Sequence, residues 1–247
     1  KYLRPFVGAD ELLSGGDRWC LWLVDAPQHD ISASPVLRSR TAQVREMRLA
    51  STKPSTREAA NTPELFTEIR QPSGPYLGIP RHVTETRQFF TATRFSADVI
   101  CGDANFTAAD PDGFLFAIIS SSMFITWQRM IGGRIKSDLR FSNTIVWNNL
   151  PLPTPSTAAR EDIIRAGVQI LEARNLHPEK SLEQHYEPGH MTSELLSAHR
   201  ALDELVDRAF GARAPCESER DRQQILFAAY EELTAPLLAA SGQKRRR

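Results

Sequence analysis

The segment Leu150-Pro151-Leu152-Pro153-Thr154-Pro155 places three prolines within five residues. Each proline fixes its own φ, lacks a backbone donor and restricts the residue before it. Neither a helix nor a central strand runs through such a point, so an extended boundary is expected, and the patterning differs on its two sides. Before it, short strand-like runs mix with helices. Arg18-Trp19-Cys20-Leu21-Trp22-Leu23-Val24 reads as a buried strand, Pro35 to Ala50 as a helix, and Pro75-Tyr76-Leu77-Gly78-Ile79-Pro80 as a strand entry. Asp98-Val99-Ile100-Cys101 reads as a short strand and Phe114 to Met130 as one long buried helix.

After the prolines the pattern is helical. Ser156 or Thr157 caps a helix to about Arg174, with Ile163, Ile164, Val168 and Leu171 on one face. Ser193 caps a second, along which Leu195, Ala198, Leu202, Leu205 and Ala209 recur at three and four spacing until Gly211 stops it. Ser218 caps a third. The expected fold is α+β: a mixed α/β domain over residues 1–152, then a small all-helical domain over 153–247.

Charge is uneven along a chain whose formal net charge is zero. Residues 1–150 hold 17 Lys+Arg against 15 Asp+Glu, and residues 151–243 hold 9 against 15. The sharpest excess lies at 38–57, where Arg38, Arg40, Arg45, Arg48, Lys53 and Arg57 face the single acid Glu46. A polyanion partner suits the first part of the chain and not the second. The terminal Lys244-Arg245-Arg246-Arg247 reads either as a nucleic-acid contact or as a frayed end. No apolar run reaches the ~18 residues a membrane span needs, so no membrane partner is expected. Cys20, Cys101 and Cys216 are odd in number and far apart. They fit reduced thiols in a cytoplasmic protein and give neither a disulfide framework nor a metal knuckle. The start at Lys1, inside a patterned segment, reads as a piece of a longer polypeptide.

The stretch Gly132-Gly133-Arg134-Ile135-Lys136-Ser137-Asp138-Leu139-Arg140-Phe141-Ser142-Asn143 carries the most chemistry. A glycine pair in the left-handed region is expected to stop the preceding helix. Three cations, two serines and an asparagine follow within eleven residues, before the strand-like Thr144-Ile145-Val146-Trp147. These side chains bind phosphate oxygens and base edges; a solvated connection with ordinary surface charges has the same look.

Two further basic clusters stand out. On a helix over 35–50, Arg38, Arg45 and Arg48 fall within roughly an 80° arc at ~100° per residue, with Leu37, Val44 and Met47 on the adjacent face. Such a row suits phosphate tracking and equally a solvated face. Arg81-His82-Val83-Thr84-Glu85-Thr86-Arg87 mixes donors and acceptors. Arginine pairs bidentately with guanine and glutamate accepts from cytosine N4; a salt-bridged loop joining Glu85 to Arg81 or Arg87 is the alternative.

Catalytic signatures are missing: no GxGxxG, GxxxxGK[ST], GxSxG or HExxH occurs. His185 and His190 are five residues apart with Pro188 between them, which does not place them on one helical face. His199 and Asp203, at i and i+4 beside Arg200, suit bracing of a helix pair. Asn148-Asn149-Leu150-Pro151 lacks the Pro-Pro-aromatic platform of the amino-methyltransferase motif.

The ordered set of segments resembles the C-terminal part of MmeI-like (type IIL) restriction-modification enzymes and the related large DNA methyltransferases. The segments are Lys1–Phe6, Arg45–Ser51, Phe66–Pro72, Tyr76–Arg81, Ser120–Trp127, Gly133–Asn143 and Ala198–Asp203. The likeness spans essentially the whole chain, and Gly-Arg-x-Lys-Ser-Asp-x-Arg-x-Ser is its most specific part. It implies that residues 1 to about 152 read a sequence in double-stranded DNA and that a helical region braces them. It also implies an adenine-N6 methyltransferase domain upstream in the same polypeptide, where S-adenosylmethionine is used; no cofactor is expected in this chain. Within that resemblance Arg38, Arg45, Arg48 and Arg134 are phosphate contacts. Arg81, Thr84, Glu85, Arg87, Lys136, Ser137, Asp138, Arg140 and Asn143 are candidates for base-edge or mixed contacts. Where the family has Ser-Glu-Arg-Arg-Tyr-like residues after Ile-Pro-Arg, this chain has Thr84–Phe89, so the target sequence does not transfer. A second reading, a structural or protein-interaction module, rests on the acidic helical half and its Leu/Ala stripes.

Overall fold

A computed structural model of the chain describes residues 1–244, with side chains described as far as Pro236. In chain order the first elements are β1 (Leu3–Val7), α1 (Ala9–Leu13), β2 (Trp19–Leu21), α2 (Gln28–Ala33), α3 (Pro35–Leu49) and α4 (Pro54–Glu58). Then come β3 (Tyr76–Pro80), β4 (His82–Val83), β5 (Thr93–Phe95), β6 (Ile100–Cys101), β7 (Asn105–Ala109), α5 (Phe114–Ile119) and α6 (Ser122–Ile131). The rest are β8 (Gly133–Ile135), β9 (Asp138–Arg140), a π-helical turn (Asn143–Trp147), α7 (Thr157–Asn175), α8 (Leu182–His185), α9 (Ser193–Ala209) and α10 (Glu219–Lys244). The class is α+β, mixed at first and helical at the end. No described helix is long and apolar enough to cross a membrane. The basic tail at 244–247 lies outside the residues whose side chains are described.

The chain forms two compact units, one of residues 1–6, 17–71 and 98–100, the other of residues 7–16, 72–97 and 101 onward. In the first, β1 pairs antiparallel with β2, Leu3 opposite Leu21, and a small core gathers Leu23, Ile31 and Leu37. Ser34 caps α3 by accepting from Leu37 N at 3.3 Å, with Pro35 at the first helical position, where its missing donor costs nothing. The inward stripe of α3 is Leu37, Thr41, Val44 and Arg48. It differs from the expected apolar face, since Met47 is 62% exposed. The strand expected over 18–24 shrinks to three residues and is not buried: Trp19 is 58% exposed.

In the second unit β3 is buried along its whole length and lies between β5 and β7, Gly78 opposite both Thr93 and Thr107. The helix expected over 114–130 is broken in two. Ser121 Oγ donates to the Ile118 carbonyl at 2.6 Å and accepts from Phe124 N at 3.3 Å, so it ends α5 and caps α6. Asp203 of α9 completes the break, accepting from Ser122 N at 2.7 Å and Ser122 Oγ at 2.5 Å. Serines that compete for backbone groups interrupt an otherwise apolar helix. A carboxylate there also suits the positive end of the α6 dipole.

The core of this unit takes side chains from both sides of Pro151: Leu150, Ile163, Ile170, Leu195, Leu202 and Leu226 all belong to it. α7, capped by Ser156, packs on α5 and α9 through Ala166, Gly167, Ile170 and Ala173, whereas Val168 is 40% exposed. A Cβ on Gly167 would stand 2.9 Å from Ala117 Cβ, so the α5–α7 approach requires glycine. α9 is capped by Thr192, one residue before the expected Ser193, and ends at Gly211 with φ +104°. Across it runs a buried polar chain. Arg174 Nη2 donates to Tyr186 Oη at 2.6 Å, Tyr186 Oη meets His199 Nε2 at 2.8 Å, and His199 Nδ1 meets the Ser120 carbonyl at 3.0 Å.

Candidate nucleic-acid interface

The Gly132–Asn143 segment folds as a hairpin and a turn. β8 and β9 are antiparallel, with Gly133 opposite Arg140, Arg134 opposite Leu139 and Ile135 opposite Asp138. β4 lies on the other side of β9, with His82 opposite Arg140 and Val83 opposite Leu139. Residues directly opposite share a face and neighbours alternate. One face therefore carries Val83 and Leu139, 4% and 1% exposed, into the core. The other carries His82, Arg140, Asp138 and Ile135 outward. Gly133 adds no side chain beside Arg140, and a Cβ there would meet nothing.

Glycine works differently here from the sequence expectation. Gly132 ends α6 at φ −68°, ψ 147°, outside the left-handed region. Glycine is needed for space, because a Cβ would sit 1.9 Å from Gln128 Nε2. The left-handed residue is Lys136, φ 55°, at the two-residue tip. A non-glycine residue there costs about 1 kcal/mol, and the tip nonetheless carries a cation. Thr144–Trp147, expected as a strand, forms the π-helical turn. Ser142 Oγ accepts from Ile145 N at 3.2 Å, and Asn149 Nδ2 donates to the carbonyls of Thr144 and Ile145 at 3.0 and 2.9 Å. π-Helical turns recur at functional sites.

The loop after β4 closes by Arg87 N donating to the Thr84 carbonyl. Its Glu85 carboxylate lies 3.5 Å from Arg134 Nη1, and Arg134 Nη1 also donates to the Ser137 carbonyl at 2.9 Å. Glu85 thus pairs with Arg134, not with Arg81 or Arg87. The structure brings Glu85, next to Thr84, against Arg134, and Arg134, Lys136, Ser137, Asp138 and Arg140 share the hairpin, with Asn143 three residues beyond β9. Among the described residues, the side chains of Lys136 and Arg140 have no hydrogen-bond or ion-pair partner. Asn143 Oδ1 accepts from Thr144 N. Arg81 is exposed but committed: Nε and Nη2 donate to the Asp103 carbonyl and the guanidinium stacks on Phe106, 4.9 Å from its centroid.

Two sequence candidates are corrected. Arg87 is 6% exposed; its Nη1 donates to the Glu183 carbonyl at 2.7 Å, and burial lowers its pKa. Arg48 is 8% exposed, donating to the carbonyls of Ala59, Thr62 and Leu65 at 2.7, 2.9 and 2.7 Å. Guanidinium groups so enclosed fasten their own chain and have no fork left for a phosphate. The 80° arc on α3 hid this: at ~100° per residue Arg48 lies about 80° from Arg38 but only about 20° from Leu37, inside the buried stripe. Arg38 and Arg45 stay exposed, Arg38 donating to the Ser32 carbonyl. His82, outside the sequence candidates, shares the outward face with Arg140; alternation within Arg81-His82-Val83 was its only signal.

A mixed α/β fold that presents a cation-bearing hairpin, backed by helices, has the build of a recognition domain. The chain belongs to the MmeI family: residues 1–154 match the MmeI target recognition domain and residues 155–238 the MmeI C-terminal domain. It is similar to the solved structure of the type IIL restriction-modification enzyme MmeI in complex with DNA, with a TM-score of 0.87 and 38% identity, over 95% of this chain and 31% of that one. It is also 31% identical over 233 residues to DNA methyltransferase A of Bacillus subtilis (strain 168), covering 94% of this chain and 26% of that protein. The chain thus spans between a quarter and a third of these relatives.

Proposed function

We propose that this chain reads base sequence in double-stranded DNA for a restriction-modification methyltransferase. The observation that carries the reading is the outward face of the β4–β9–β8 sheet. A two-stranded ribbon fits the major groove, and the β8–β9 hairpin at the edge of this sheet is such a ribbon. On this one, Arg140 offers a fork suited to guanine, Asp138 an acceptor suited to cytosine N4, and Ile135 an apolar surface suited to a thymine methyl. Lys136, Ser137, Thr84, Glu85 and Asn143 border that face, Arg38 and Arg45 supply phosphate contacts that set affinity without sequence, and Arg134 is a phosphate contact held in reserve by Glu85. Residues 1–152 form the reading domain on this view, and 153–247 brace it.

On this proposal, an adenine-N6 methyltransferase domain of the same cytoplasmic polypeptide would act on the bound site, flipping the target base out of the stack. S-adenosylmethionine belongs to that domain. The described residues here do not fit it: Asn149, nearest to an amino-methyltransferase motif, spends its amide on the Thr144 and Ile145 carbonyls, and Leu150 is buried beside it. This chain binds and positions; it makes no bond.

The test is retention of a randomised duplex pool by the chain across a salt series, with sequencing of what is kept. An enriched motif, with affinity falling steeply as salt rises, is expected. Salt-insensitive binding, or none at low salt, would overturn the reading and favour a protein-interaction module.

A further inference from the structure

Three consecutive residues near the C-terminal end of α6 each donate a side-chain hydrogen bond to a backbone carbonyl of a different segment. Trp127 Nε1 donates to Val146 O at 2.8 Å, in the π-helical turn. Gln128 Nε2 donates to Arg140 O at 3.0 Å, in β9. Arg129 Nη2 donates to Arg87 O at 2.8 Å, in the loop after β4. Successive helical side chains point about 100° apart, so three neighbours on one helix reach three separate stretches of chain. These stretches are the ones that carry Asn143, then Lys136 to Arg140, then Thr84 and Glu85.

We infer that Trp127, Gln128 and Arg129 are positioning residues for specificity: they fix the three reading segments relative to one another without touching DNA. The inference rests on the DNA-reading proposal and goes beyond it by naming what sets the geometry of the readers.

The support beneath them is stiff. Trp127 and Gln128 are 2% and 0% exposed, and residues 123–128 are buried throughout. Both ends of α6 are tied to the C-terminal helices, by Asp203 at Ser122 and by Glu219, whose carboxylate lies 2.9 Å from Arg129 Nη1. Tyr230 of α10 packs on the Trp127 ring with centroids 5.7 Å apart. The helical region therefore bears on the readers through α6, and on the loop after β4 also through Glu183 of α8, which holds Arg87.

Gln128 shows that the arrangement is not chosen for stability alone. Its amide lies in the space a Cβ of Gly132 would need, and its Oε1 is buried with no partner. A buried acceptor left unpaired is a cost that a methionine of similar shape would remove, in exchange for the bond to the Arg140 carbonyl. The glutamine keeps that cost and holds the backbone of the arginine that faces outward.

The experiment compares Gln128→Met and Trp127→Phe with the unmodified chain by thermal unfolding, by hydrogen exchange of residues 82–87 and 138–147, and by enrichment from the duplex pool. Expected are an unfolding midpoint within a few degrees of the parent, an unchanged salt slope, faster exchange confined to these segments, and preference at individual motif positions falling about tenfold. A simple loss of fold would lower the midpoint and weaken all sequences together, which would overturn the positioning role. A parent that enriches a motif which both variants reproduce at every position would overturn the positioning role alone. A parent that enriches no motif would overturn the reading function, and unchanged exchange in the variants would then overturn the positioning role as well.

Discussion

Glu85 and Arg134 form an ion pair across two of the reading segments, Oε2 to Nη1 at 3.5 Å, with both side chains nearly half exposed. At that exposure the pair contributes little to stability, roughly 0–1 kcal/mol. Its effect is on availability, since Glu85 occupies a cation that a phosphate would otherwise take. Glu85→Gln is expected to tighten binding to all duplexes by up to about fivefold at low salt. It should also steepen the dependence of log affinity on log salt by about 0.9, the increment for one more phosphate neutralised once Arg134 is released. A salt titration of both proteins on an unrelated duplex checks this. Unchanged slopes would mean that Arg134 stays on Ser137 when DNA is bound.

In the proposed function Arg140 reads and Arg45 holds, and variants of the two should separate these roles. Arg140 is exposed on the outward sheet face with Gly133 opposite it; Arg45 is exposed on α3. Arg140→Ala should relax preference at one base position, costing ~1–3 kcal/mol there. Arg45→Ala should weaken every sequence alike and reduce the salt slope by about 1. Pool enrichment with each variant distinguishes the two patterns, and an Arg140→Ala motif identical to the parent's would remove Arg140 from the readers.

Arg48 belongs to the fold of its unit. Its guanidinium ties α3 to three carbonyls between Ala59 and Leu65. Arg48→Met removes these donors; the Ala59 and Thr62 carbonyls keep bonds from Thr62 N and Leu65 N, while the Leu65 carbonyl loses its donor, a loss of about 1–3 kcal/mol. Arg48→Lys keeps the charge without the fork and is expected to recover only part of it. Urea unfolding should show both losses, with DNA binding by the remaining folded protein unaltered in sequence preference.

The helical second part was legible through spacing that local rules govern, since Ser156, Gly211 and the apolar runs act on their immediate neighbours, and the family through an ordered set of segments along the chain. The sequence did not show which arginines turn inward. Arg48 and Arg87 are buried because segments distant in sequence, residues 59–65 and Glu183, bring carbonyls to them. No pattern around residue 48 or 87 encodes that arrival. The break between α5 and α6 has a local part, the Ser121 cap within the Ser120–Ser122 run, and a distant one, Asp203, which completes it from 81 residues away. The glycine pair was legible as a stop, but for the wrong reason: Gly132 is extended, and glycine is needed there because the side chain and carbonyl of Gln128, one turn earlier, fill the space of a Cβ. Trp127, Gln128 and Arg129 sit in an apolar helix that reads as core, and nothing local marks them as supports.

Two buried groups one turn apart on α9 respond to acid with opposite signs. His199 is fully buried, its ring stacked on Phe89 at 3.8 Å; because a carbonyl only accepts, Nδ1–H donates to Ser120 O and Nε2 accepts from Tyr186 Oη. Burial, with the Arg174 charge nearby, pushes its pKa from 6.5 down to about 3. The folded state resists protonation, so this contribution is complete above pH 6.5 and is lost as pH falls toward 3. Asp203 is shifted the other way. Burial raises its pKa from 3.8 to about 6, against the hydrogen bonds from Ser122 and the charge of Arg222. The folded state takes up this proton more readily, so its contribution is present below pH 3.8 and lost as pH rises through 6. Between about pH 4 and 6 the two oppose each other, and the parent should show a shallow dependence from this pair. Asp203→Asn should expose the histidine, with stability falling on acidification by up to about 1.4 kcal/mol per pH unit. His199→Gln should expose the aspartate, with stability rising as pH falls over the same range. Urea midpoints at half-unit steps from about pH 4 to 7 decide it, and slopes of the same sign in the two variants would rule out the assignment.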